Sequence, residues 1–511
     1  MPEQYQYQTA VYFGDSLTDN GNFYNLTSST LSISLPRDSF GYNQRYSDGL
    51  VYSDYATQFL DLDSQLNYAV TGARAIGDRS FLELVYELRL DSFLEVPGSD
   101  PLLAQGIDLA GQVARFLSDS AGEDLSQVSA TLTFGSNDYA EFKPWLVTNY
   151  IEDSKAYVAE IIGEITKAAR TLDAAGVGQV VITGLPSANF APTYYDSPFR
   201  SPMSNYSLAY HNNQLERAVD MLQSEGINAV FVHMEAMGRA IARDPLNFGI
   251  TAPLEQSYLL DTSGTDPIFN PAVEDIPLDQ IAFLDGRHPT DVVHAMLGAF
   301  HAASLTSTVY VGNEFGNRKT FGDEQNLVMA SGGSDRISVN GGDDIVFGEH
   351  GTDDISGGAG MDILSGGSEG DVLRGGDGDD VVHGGSGNDL IYGDDGADVL
   401  LDGLGSDSVY GGAGDDLFIF HQASLIGGAD GVDLDYFDAG EGTDTLVLLL
   451  TEANAAEYAA DLDEFGALVA LTNQGIAATG FEDVRVVTDR AELDQFNDLA
   501  RLGEADVWGL V

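Results

Sequence analysis

The first 315 residues alternate short apolar runs with longer segments whose apolar positions recur every three to four residues. The apolar runs are Ala10–Phe13, Asn67–Val70, Ala130–Phe134, Gln179–Thr183 and Ala229–His233. The segments of helical period are Ile107–Leu117, Tyr157–Leu172, Leu208–Leu222 and Asp291–Leu305. Strands that alternate with helices predict a mostly parallel sheet covered on both faces. The active site of such a sheet is expected at the carboxyl ends of its strands.

The pattern changes at Ala330, where a nine-residue period begins and continues to Ile419. Each unit follows Gly-Gly-x-Gly-x-Asp-x-(apolar)-x, and the register holds through ten units without a slip. The aspartates at position six are Asp335, Asp344, Asp353, Asp362, Asp371, Asp380, Asp389, Asp398, Asp407 and Asp416. The apolar residue at position eight predicts a narrow coil whose core forms only when neighbouring turns stack.

Composition narrows the class of protein. A net charge of −59 disfavours nucleic acid and anionic membranes as partners, and the lack of cysteine excludes disulfides and thiolate metal sites. No apolar run approaches the ~18 residues of a membrane span, and the N-terminus lacks the pattern of a cleaved signal peptide. We expect an α/β domain at 1–315, a linker at 316–329, the repeats at 330–419 and a C-terminal region at 420–511.

The repeats supply hard oxygen ligands, from the position-six aspartates and from the carbonyls of the glycine-rich turns. Their 20 Asp and Glu residues against two Arg favour a bound cation, and calcium suits irregular oxygen sites better than magnesium does. The block resembles the RTX family, whose parallel β-roll binds calcium between turns. The resemblance implies that all ten position-six aspartates are calcium ligands and that the ion is structural, not catalytic.

The same resemblance implies a secreted protein without a cleaved N-terminal signal. RTX proteins are exported unfolded by an ABC-type (type I) exporter that reads a C-terminal signal, here within 420–511. Extracellular calcium modules bind at roughly 10⁻⁴–10⁻³ M, so such sites stay empty in the cytosol and fill outside the cell. We therefore expect the repeats to fold only after export.

Four polar blocks follow or flank the apolar elements of the first 315 residues. They are Phe13–Asn22, which contains Gly-Asp-Ser-Leu, then Asn67–Ala73, Thr133–Tyr139 and Leu284–Thr290. In this order they resemble the GDSL or SGNH hydrolase family, which implies a flavodoxin-like three-layer α/β/α domain. Three further stretches resemble the phospholipase/lecithinase/haemolysin branch of that family: Arg45–Gly49, Gly184–Pro186 and His211–Leu215.

The family resemblance assigns roles by position. Ser16 is the expected nucleophile, His288 its general base and acid, and Asp285 the carboxylate that orients the imidazole. The oxyanion hole would consist of the backbone N–H groups of Ser16 and Gly72 and the side-chain amide of Asn137. Asp15 and Asp138 are expected to brace the two loops by hydrogen bonds.

The sequence predicts a lipolytic carboxylesterase acting on a small-molecule or lipid ester. Phospholipase or lysophospholipase activity and the deacetylation of carbohydrate remain alternatives, as does a non-enzymatic, calcium-dependent surface or adhesion protein. The aromatic-rich stretches Phe81–Leu94 and Phe190–Tyr210 either line an acyl pocket or only pack helices and loops.

Overall fold

The computed structural model describes most of the chain, in two compact units. The residues described are 5–31, 34–36, 44, 47, 50–71, 73–89, 92, 94, 100–141, 150–186, 200–243, 245–251, 260–261, 268–270, 276, 281–283, 288–421, 434–451, 455, 468–471 and 476–488. The first unit, here called the hydrolase unit, comprises Tyr5–Ala242 and Ala252–Leu305. The second, here called the roll unit, includes Arg243–Thr251 and Thr306–Val511.

A five-stranded parallel sheet forms the centre of the hydrolase unit. Its strands are β1 (Thr9–Gly14), β2 (Ser64–Asn67), β3 (Val128–Thr133), β4 (Gln179–Thr183) and β5 (Ala229–Val232). Their spatial order is β2-β1-β3-β4-β5, and every neighbouring pair is parallel. This is the flavodoxin-like order, with its switch point between β1 and β3. The predicted fold class is therefore confirmed.

Helices cover both faces of this sheet. They are α1 (Asn22–Thr30), α2 (Tyr52–Phe59), α3 (Phe81–Glu87), α4 (Leu109–Asp119), α5 (Ser136–Glu141), α6 (Tyr150–Ala174), α7 (Arg200–Ser224), α8 (Met234–Arg243) and α9 (Asp291–Thr306). On one face Val11 and Phe13 pack in a core shared with α4, α6 and α7. On the other, the Tyr12 ring meets Tyr52 of α2 and His301 of α9 at centroid distances of 6.4 and 6.3 Å. Alternate residues of β1 thus serve opposite layers.

The second strand ends earlier than its apolar pattern predicts. The apolar run is Asn67–Val70, but the regular strand is Ser64–Asn67. The Asn67 carboxamide oxygen accepts the Ala69 N–H at 3.0 Å, which turns the backbone out of the ladder. Val70 still donates its N–H to the Gly14 carbonyl at 3.1 Å, so the segment stays beside β1. The hydrogen bond from Val70 to Gly14 thus holds the end of this run, and the polar residues that follow it, at the carboxyl edge of the sheet.

The roll unit consists of two nine-stranded sheets whose strands alternate along the chain. The even-numbered sheet contains β8 (Thr308–Asn313), β10 (Asn326–Ser331), β12 (Ile345–His350), β14 (Ile363–Ser368), β16 (Val381–Ser386), β18 (Val399–Leu404), β20 (Leu417–His421), β22 (Thr445–Leu449) and, at its edge, β25 (Asp483–Val487). The odd-numbered sheet contains β9 (Arg318–Thr320), β11 (Arg336–Gly341), β13 (Asp354–Ala359), β15 (Val372–Asp377), β17 (Leu390–Asp395), β19 (Ser408–Ala413), β21 (Asp435–Glu441), β24 (Ile476–Thr479) and β23 (Leu468–Leu471). Apart from the antiparallel pair of β23 with β24, all neighbours are parallel, as expected for a β-roll.

The core of the roll is a single column of apolar side chains between the sheets. The position-eight residues form it: Ile337, Val346, Ile355, Leu364, Leu373, Val382, Ile391, Leu400, Val409 and Phe418. Each is at most 1% exposed. Each stacks on a residue 18 positions away, as Ile355 does on Leu373, because the two sheets take alternate repeats.

The two sheets extend past both ends of the repeat block. Residues 316–329, expected as a linker, contain β9 and the start of β10, and β9 pairs with β11 in the register of a repeat. Beyond the repeats, β21 pairs with β19 across a 28-residue spacing instead of 18, because ten extra residues intervene. Parallel pairing needs an extended backbone and not the full nonapeptide, so these strands can pair without its signature.

Two short elements lie outside the large sheets. The roll unit takes up a short 3₁₀ turn, Pro245–Phe248, whose Phe248 ring lies 5.8 Å from that of Phe347. Two short strands, β6 (Leu260–Asp261) and β7 (Ile268–Phe269), form an antiparallel pair in the hydrolase unit. Among the described helices, none combines the length and the apolar character needed to cross a bilayer.

Candidate active site and calcium sites

Ser16 lies in the turn that directly follows β1, at the carboxyl edge of the sheet. Its Oγ atom is 3.2 Å from Nε2 of His288, a residue 272 positions away in sequence. Both side chains are partly exposed, so a substrate can reach them. His288 stands shortly before α9, whose first residue is Asp291. The structure thus brings the expected nucleophile and its expected base into hydrogen-bonding distance.

The backbone before Ser16 is fixed by a glutamine of α4. The Gln112 amide accepts the Gly14 N–H at 3.0 Å and donates to the Gly14 carbonyl at 2.9 Å. It also donates to the Ile107 carbonyl at 2.7 Å. A Cβ atom on Gly14 would lie 2.6 Å from Thr18 Oγ1, so only glycine fits here. The strand end that presents Ser16 is therefore held from both sides.

Asp15 connects this turn to the start of α5. Its carboxylate accepts the Leu17 N–H and the Asn137 amide, each at 3.2 Å, and the Ser136 hydroxyl in a short contact. Burial raises the pKa of Asp15, and these donors together with nearby His288 lower it in part. Asp15 braces the two loops, as its position after β1 predicts.

Asn137 reaches the same region from the first turn of α5. Its amide nitrogen donates to the Ala73 carbonyl at 3.1 Å and to the Asp15 carboxylate at 3.2 Å. Both amide hydrogens are therefore engaged. To stabilise an oxyanion, Asn137 would have to exchange one of these contacts for the substrate oxygen.

Asp138 braces a different loop. Its two oxygens accept the N–H groups of Ala75 at 2.9 Å and Ile76 at 3.1 Å. Burial raises the pKa of Asp138 to about 6, against the opposing effect of these two backbone bonds. Since Ala73 is also held by Asn137, adjacent residues of α5 fix both ends of the short segment 73–76.

The residues around Gly72 are anchored by Asp19. Its carboxylate accepts the N–H and the hydroxyl of Thr71 at 2.8 and 3.0 Å. It also accepts the Asn22 N–H at 2.6 Å, at the start of α1. Gly72 and Asp285, the expected oxyanion donor and orienting carboxylate, lie outside the described residues.

The possible acyl-pocket stretches divide into buried and exposed parts. Phe81 and Leu84 of α3 are buried in a small apolar cluster, which favours the packing interpretation for them. Tyr86 and Leu88 are 55% and 51% exposed. Residues 190–199 of the second stretch lie outside the described part of the chain.

The other histidines of the hydrolase unit do not approach Ser16 in any described contact. Burial lowers the pKa of His211 to about 3 and that of His301 to about 4. His211 accepts or donates a bond with the Tyr139 hydroxyl at 3.1 Å, and His294 accepts the Tyr52 N–H at 3.2 Å. They are packing residues, as the sequence suggests for His211.

In the roll, the position-six aspartates form two ladders, one along each edge. One oxygen of each accepts the backbone N–H of the residue 18 positions earlier, which is Asn317 or Asn326 at the start of the ladders and an aspartate after that. For example, Asp353 N–H donates to Asp371 Oδ1 at 2.7 Å. The other edge repeats the bond, as in Asp380 N–H to Asp398 Oδ1 at 2.8 Å. Each ladder thus engages the Oδ1 atom of every aspartate in it, and the Oδ2 atom takes no part in the ladder.

The second oxygens are the candidate calcium ligands. Buried Oδ2 atoms without a hydrogen-bond partner belong to Asp335, Asp344, Asp353, Asp371, Asp389, Asp398, Asp416 and Asp444. At position one of the repeat, a Cβ added to Gly366 would lie 2.4 Å from Asp371 Oδ2 and 2.6 Å from the Gly384 carbonyl. A space lined by a carboxylate oxygen and a carbonyl, and kept open by glycine, fits calcium. The residues present therefore suit the ion that the repeats imply.

Sequence reasoning missed Gln112 and Ser136, and it did not single out Asp402, a residue of the repeats. Gln112 carries no motif, since its partner Gly14 is 98 residues away. Ser136 occupies a variable position of its block, so its contact with Asp15 has no signature. Asp402 replaces glycine at position one of a repeat, and this departure was visible in the pattern.

Two family models match the chain. The model for GDSL-like lipase/acylhydrolase matches residues 11–299. The model for the RTX calcium-binding nonapeptide repeat matches residues 329–364, 356–391, 365–400 and 392–420.

Individual relatives align with the hydrolase part. A GDSL esterase/lipase of Arabidopsis thaliana is 23% identical over 320 residues, which cover 56% of this chain and 85% of that protein. Among solved structures, phospholipase A1 from Streptomyces albidoflavus NA297 has a TM-score of 0.30 at 13% identity, covering 58% of this chain and 98% of its own. Axe2, an acetylxylan esterase from Geobacillus stearothermophilus, has a TM-score of 0.29 at 11% identity, covering 58% and 94%.

Proposed function

We propose that this chain, which belongs to the GDSL-like lipase/acylhydrolase family and is a carboxylic ester hydrolase with calcium-binding repeats, works through an acyl-enzyme on Ser16. The observation that carries the proposal is the 3.2 Å distance between Ser16 Oγ and His288 Nε2. A serine hydroxyl is a weak nucleophile until a base takes its proton, and His288 is within reach to do so.

In the first half-reaction, Ser16 Oγ attacks the ester carbonyl carbon while its proton passes to His288 Nε2. The carbonyl oxygen becomes an oxyanion, stabilised by the N–H groups of Ser16 and Gly72 and by the Asn137 amide. The C–O bond to the alcohol then breaks, and His288 protonates the leaving oxygen. In the second half-reaction, water deprotonated by His288 attacks the acyl carbon. The bond to Ser16 Oγ then breaks, the carboxylic acid leaves, and His288 returns the proton to Ser16. Asp285 would hold the imidazole orientation throughout.

The Ser16→Ala variant tests the mechanism. We expect its turnover of p-nitrophenyl butyrate to fall by roughly 10⁴–10⁶-fold at saturating calcium, since the loss of a catalytic serine removes the covalent route. Ser28→Ala is the matched control, because Ser28 is exposed on α1 and contacts only the Asn25 carbonyl. Equal activity of the wild type and Ser16→Ala would refute Ser16 as the nucleophile.

We propose that the enzyme is lipolytic, that is, that its natural substrates are esters of medium or long acyl chains. Partly exposed apolar side chains such as Tyr86 and Leu88 support this choice. A series of p-nitrophenyl esters from acetate to palmitate measures the preference. Activity confined to acetate would instead support the carbohydrate acetyl esterase. Release of fatty acid from neutral phospholipid, in preference to simple esters, would support the phospholipase.

We also propose that the protein is exported through an ABC-type channel and that calcium is structural, not catalytic. RTX repeats are typical of secreted proteins, and their ligands all lie in the roll unit. Secretion of the full chain from cells with and without such an exporter tests the route. Secretion of a chain that lacks residues 420–511, compared with secretion of the full-length chain, tests whether the signal lies there.

A further inference from the structure

One turn of the roll places a carboxylate where seven of the other nine repeats have glycine. Position one of the repeat is glycine at 348, 357, 366, 375, 384, 393 and 411, but Asp402 occupies it in the turn that leads to Asp407. In those other turns a Cβ would come within 2.2–2.6 Å of the following position-six carboxylate. Asp402 fills that space with a second charged group.

The Asp402 side chain is enclosed and only half satisfied. It is 1% exposed. Its Oδ1 accepts the Gly403 N–H at 2.8 Å, while its Oδ2 is buried and has no hydrogen-bond partner. An unsatisfied buried carboxylate oxygen is costly unless a ligand completes it.

Two more carboxylates converge on the same point. Oxygen atoms of Asp402, Asp407 and Asp435 all lie within 4.8 Å of one another, and all three residues are buried. Asp407 donates its N–H to Asp435 Oδ1 at 3.0 Å, so the ladder of this edge continues across the ten-residue insertion to Asp435. Oxygens at this spacing match the ligand shell of one Ca²⁺ with bonds of about 2.3–2.6 Å.

The three carboxylates of this group also act on one another electrostatically. Burial raises the pKa of Asp402 well above its usual range, and the neighbouring Asp435 and Asp407 raise it further. Three carboxylates in one buried space repel one another strongly unless a cation lies between them. Among the residues that the structure describes, these are the three carboxylates found close enough together to share one ion.

We propose that Asp402, Asp407 and Asp435 form a three-carboxylate calcium site that fills before the other sites of the roll. Calcium affinity rises with the number of charged ligands, so one added carboxylate strengthens this site relative to turns that have glycine at position one. The site lies at the junction between the last regular repeats and β21, where the 18-residue spacing fails. Binding there fixes Asp435, and with it β21, onto the end of the roll.

Calcium binding to the full-length protein at EGTA-buffered free Ca²⁺ tests the proposal. The calcium bound per chain is measured by equilibrium dialysis and elemental analysis for the wild type, D402N and D402G. We expect the first equivalent in the wild type to bind at free calcium at least about tenfold below the midpoint of the remainder. Both variants should lose this first step and keep the later ones.

D394N is the matched control. It removes the same single charge from an aspartate that also replaces a repeat glycine, at position two, but Asp394 is exposed. Its binding curve should retain the first step. D402G guards against misfolding because it restores the residue that other turns carry, and its circular dichroism at saturating calcium should match that of the wild type.

Three results would overturn the proposal. One is a D402N curve that superimposes on that of the wild type. Another is loss of the first step in D394N as well, which would make it a general effect of charge. The third is a D402G chain that fails to fold at saturating calcium, since Asp402 would then be needed for the backbone and not as an added ligand.

Discussion

The two units bury aspartates in opposite ways. In the hydrolase unit, Asp19 and Asp138 accept hydrogen bonds at both carboxylate oxygens from N–H groups of neighbouring loops. In the roll, Asp371 and Asp398 use one oxygen in the ladder, and the second is buried without a partner. The protein itself completes the first set, whereas the second set requires an ion. Buried carboxylates therefore indicate a metal only when one oxygen stays unsatisfied.

The difference predicts that calcium removal separates the units. In EGTA we expect the β signal of the roll in circular dichroism to vanish, because its buried carboxylates lose their counter-charge. The hydrolase unit has no such dependence, so turnover of p-nitrophenyl butyrate at 25 °C should persist. Turnover that falls in parallel with the β signal at every calcium concentration would show that the units are not independent.

Acidification should destabilise the hydrolase unit, which is expected to tolerate calcium removal. His211 and His301 have pKa values lowered by burial to about 3 and 4, whereas the unfolded chain takes up their protons near pH 6.5. The unfolded state thus binds more protons below pH 6.5, and stability is lost as the pH falls. Between pH 6.5 and 5 the two groups together cost the hydrolase unit about 3 kcal/mol.

The measurement is urea unfolding of the full chain at saturating calcium, followed by loss of ester turnover, at pH 6.5 and 5. The His301→Phe variant should lose about 1.5 kcal/mol of pH-dependent destabilisation between these two pH values, because phenylalanine can pack between Tyr12 and Tyr52 without titrating. An unchanged slope in this variant would contradict the assignment.

Removing a satisfied carboxylate should destabilise the hydrolase unit alone. We expect Asp19→Ala to lower its free energy of unfolding by about 3 kcal/mol, because the N–H groups at the start of α1 and at Thr71 lose their acceptor. Asp63→Ala, at an exposed position after α2, is the control and should change stability little. Calcium affinity should be the same in both variants; a change in Asp19→Ala alone would break the contrast between the units.

The smallest expected effect comes from one substitution made in both units. Gly163 of α6 has open space around its Cβ position, so Gly163→Ala should stabilise the hydrolase unit by about 0.5–1 kcal/mol. In Gly366→Ala the new methyl group would collide with Asp371 Oδ2, so calcium binding should weaken instead. Thermal unfolding measures the expected stabilisation by Gly163→Ala, and calcium titration measures the expected loss of affinity in Gly366→Ala. Equal tolerance at both positions would refute the calcium space at position one.

Local patterns predicted the elements whose residues are adjacent in sequence. The strand Gln179–Thr183 was predicted with its observed bounds, and the position-eight column follows from the repeat period alone. The pairing of Ser16 with His288 required a family resemblance, because 272 residues separate them. The ladder across the insertion to Asp435 had no local signal, since it depends on which strand the chain returns to after ten extra residues.

The segment Arg243–Thr251 has a consequence for how the two parts of this chain can be exchanged. In sequence it lies within the hydrolase region, yet it belongs to the roll unit, where Phe248 and Ile250 are 4% and 0% exposed. A chimera that joins a foreign repeat array after α9 would strip these side chains of their native neighbours. Transplanting either part therefore requires redesign at two separate places in the gene.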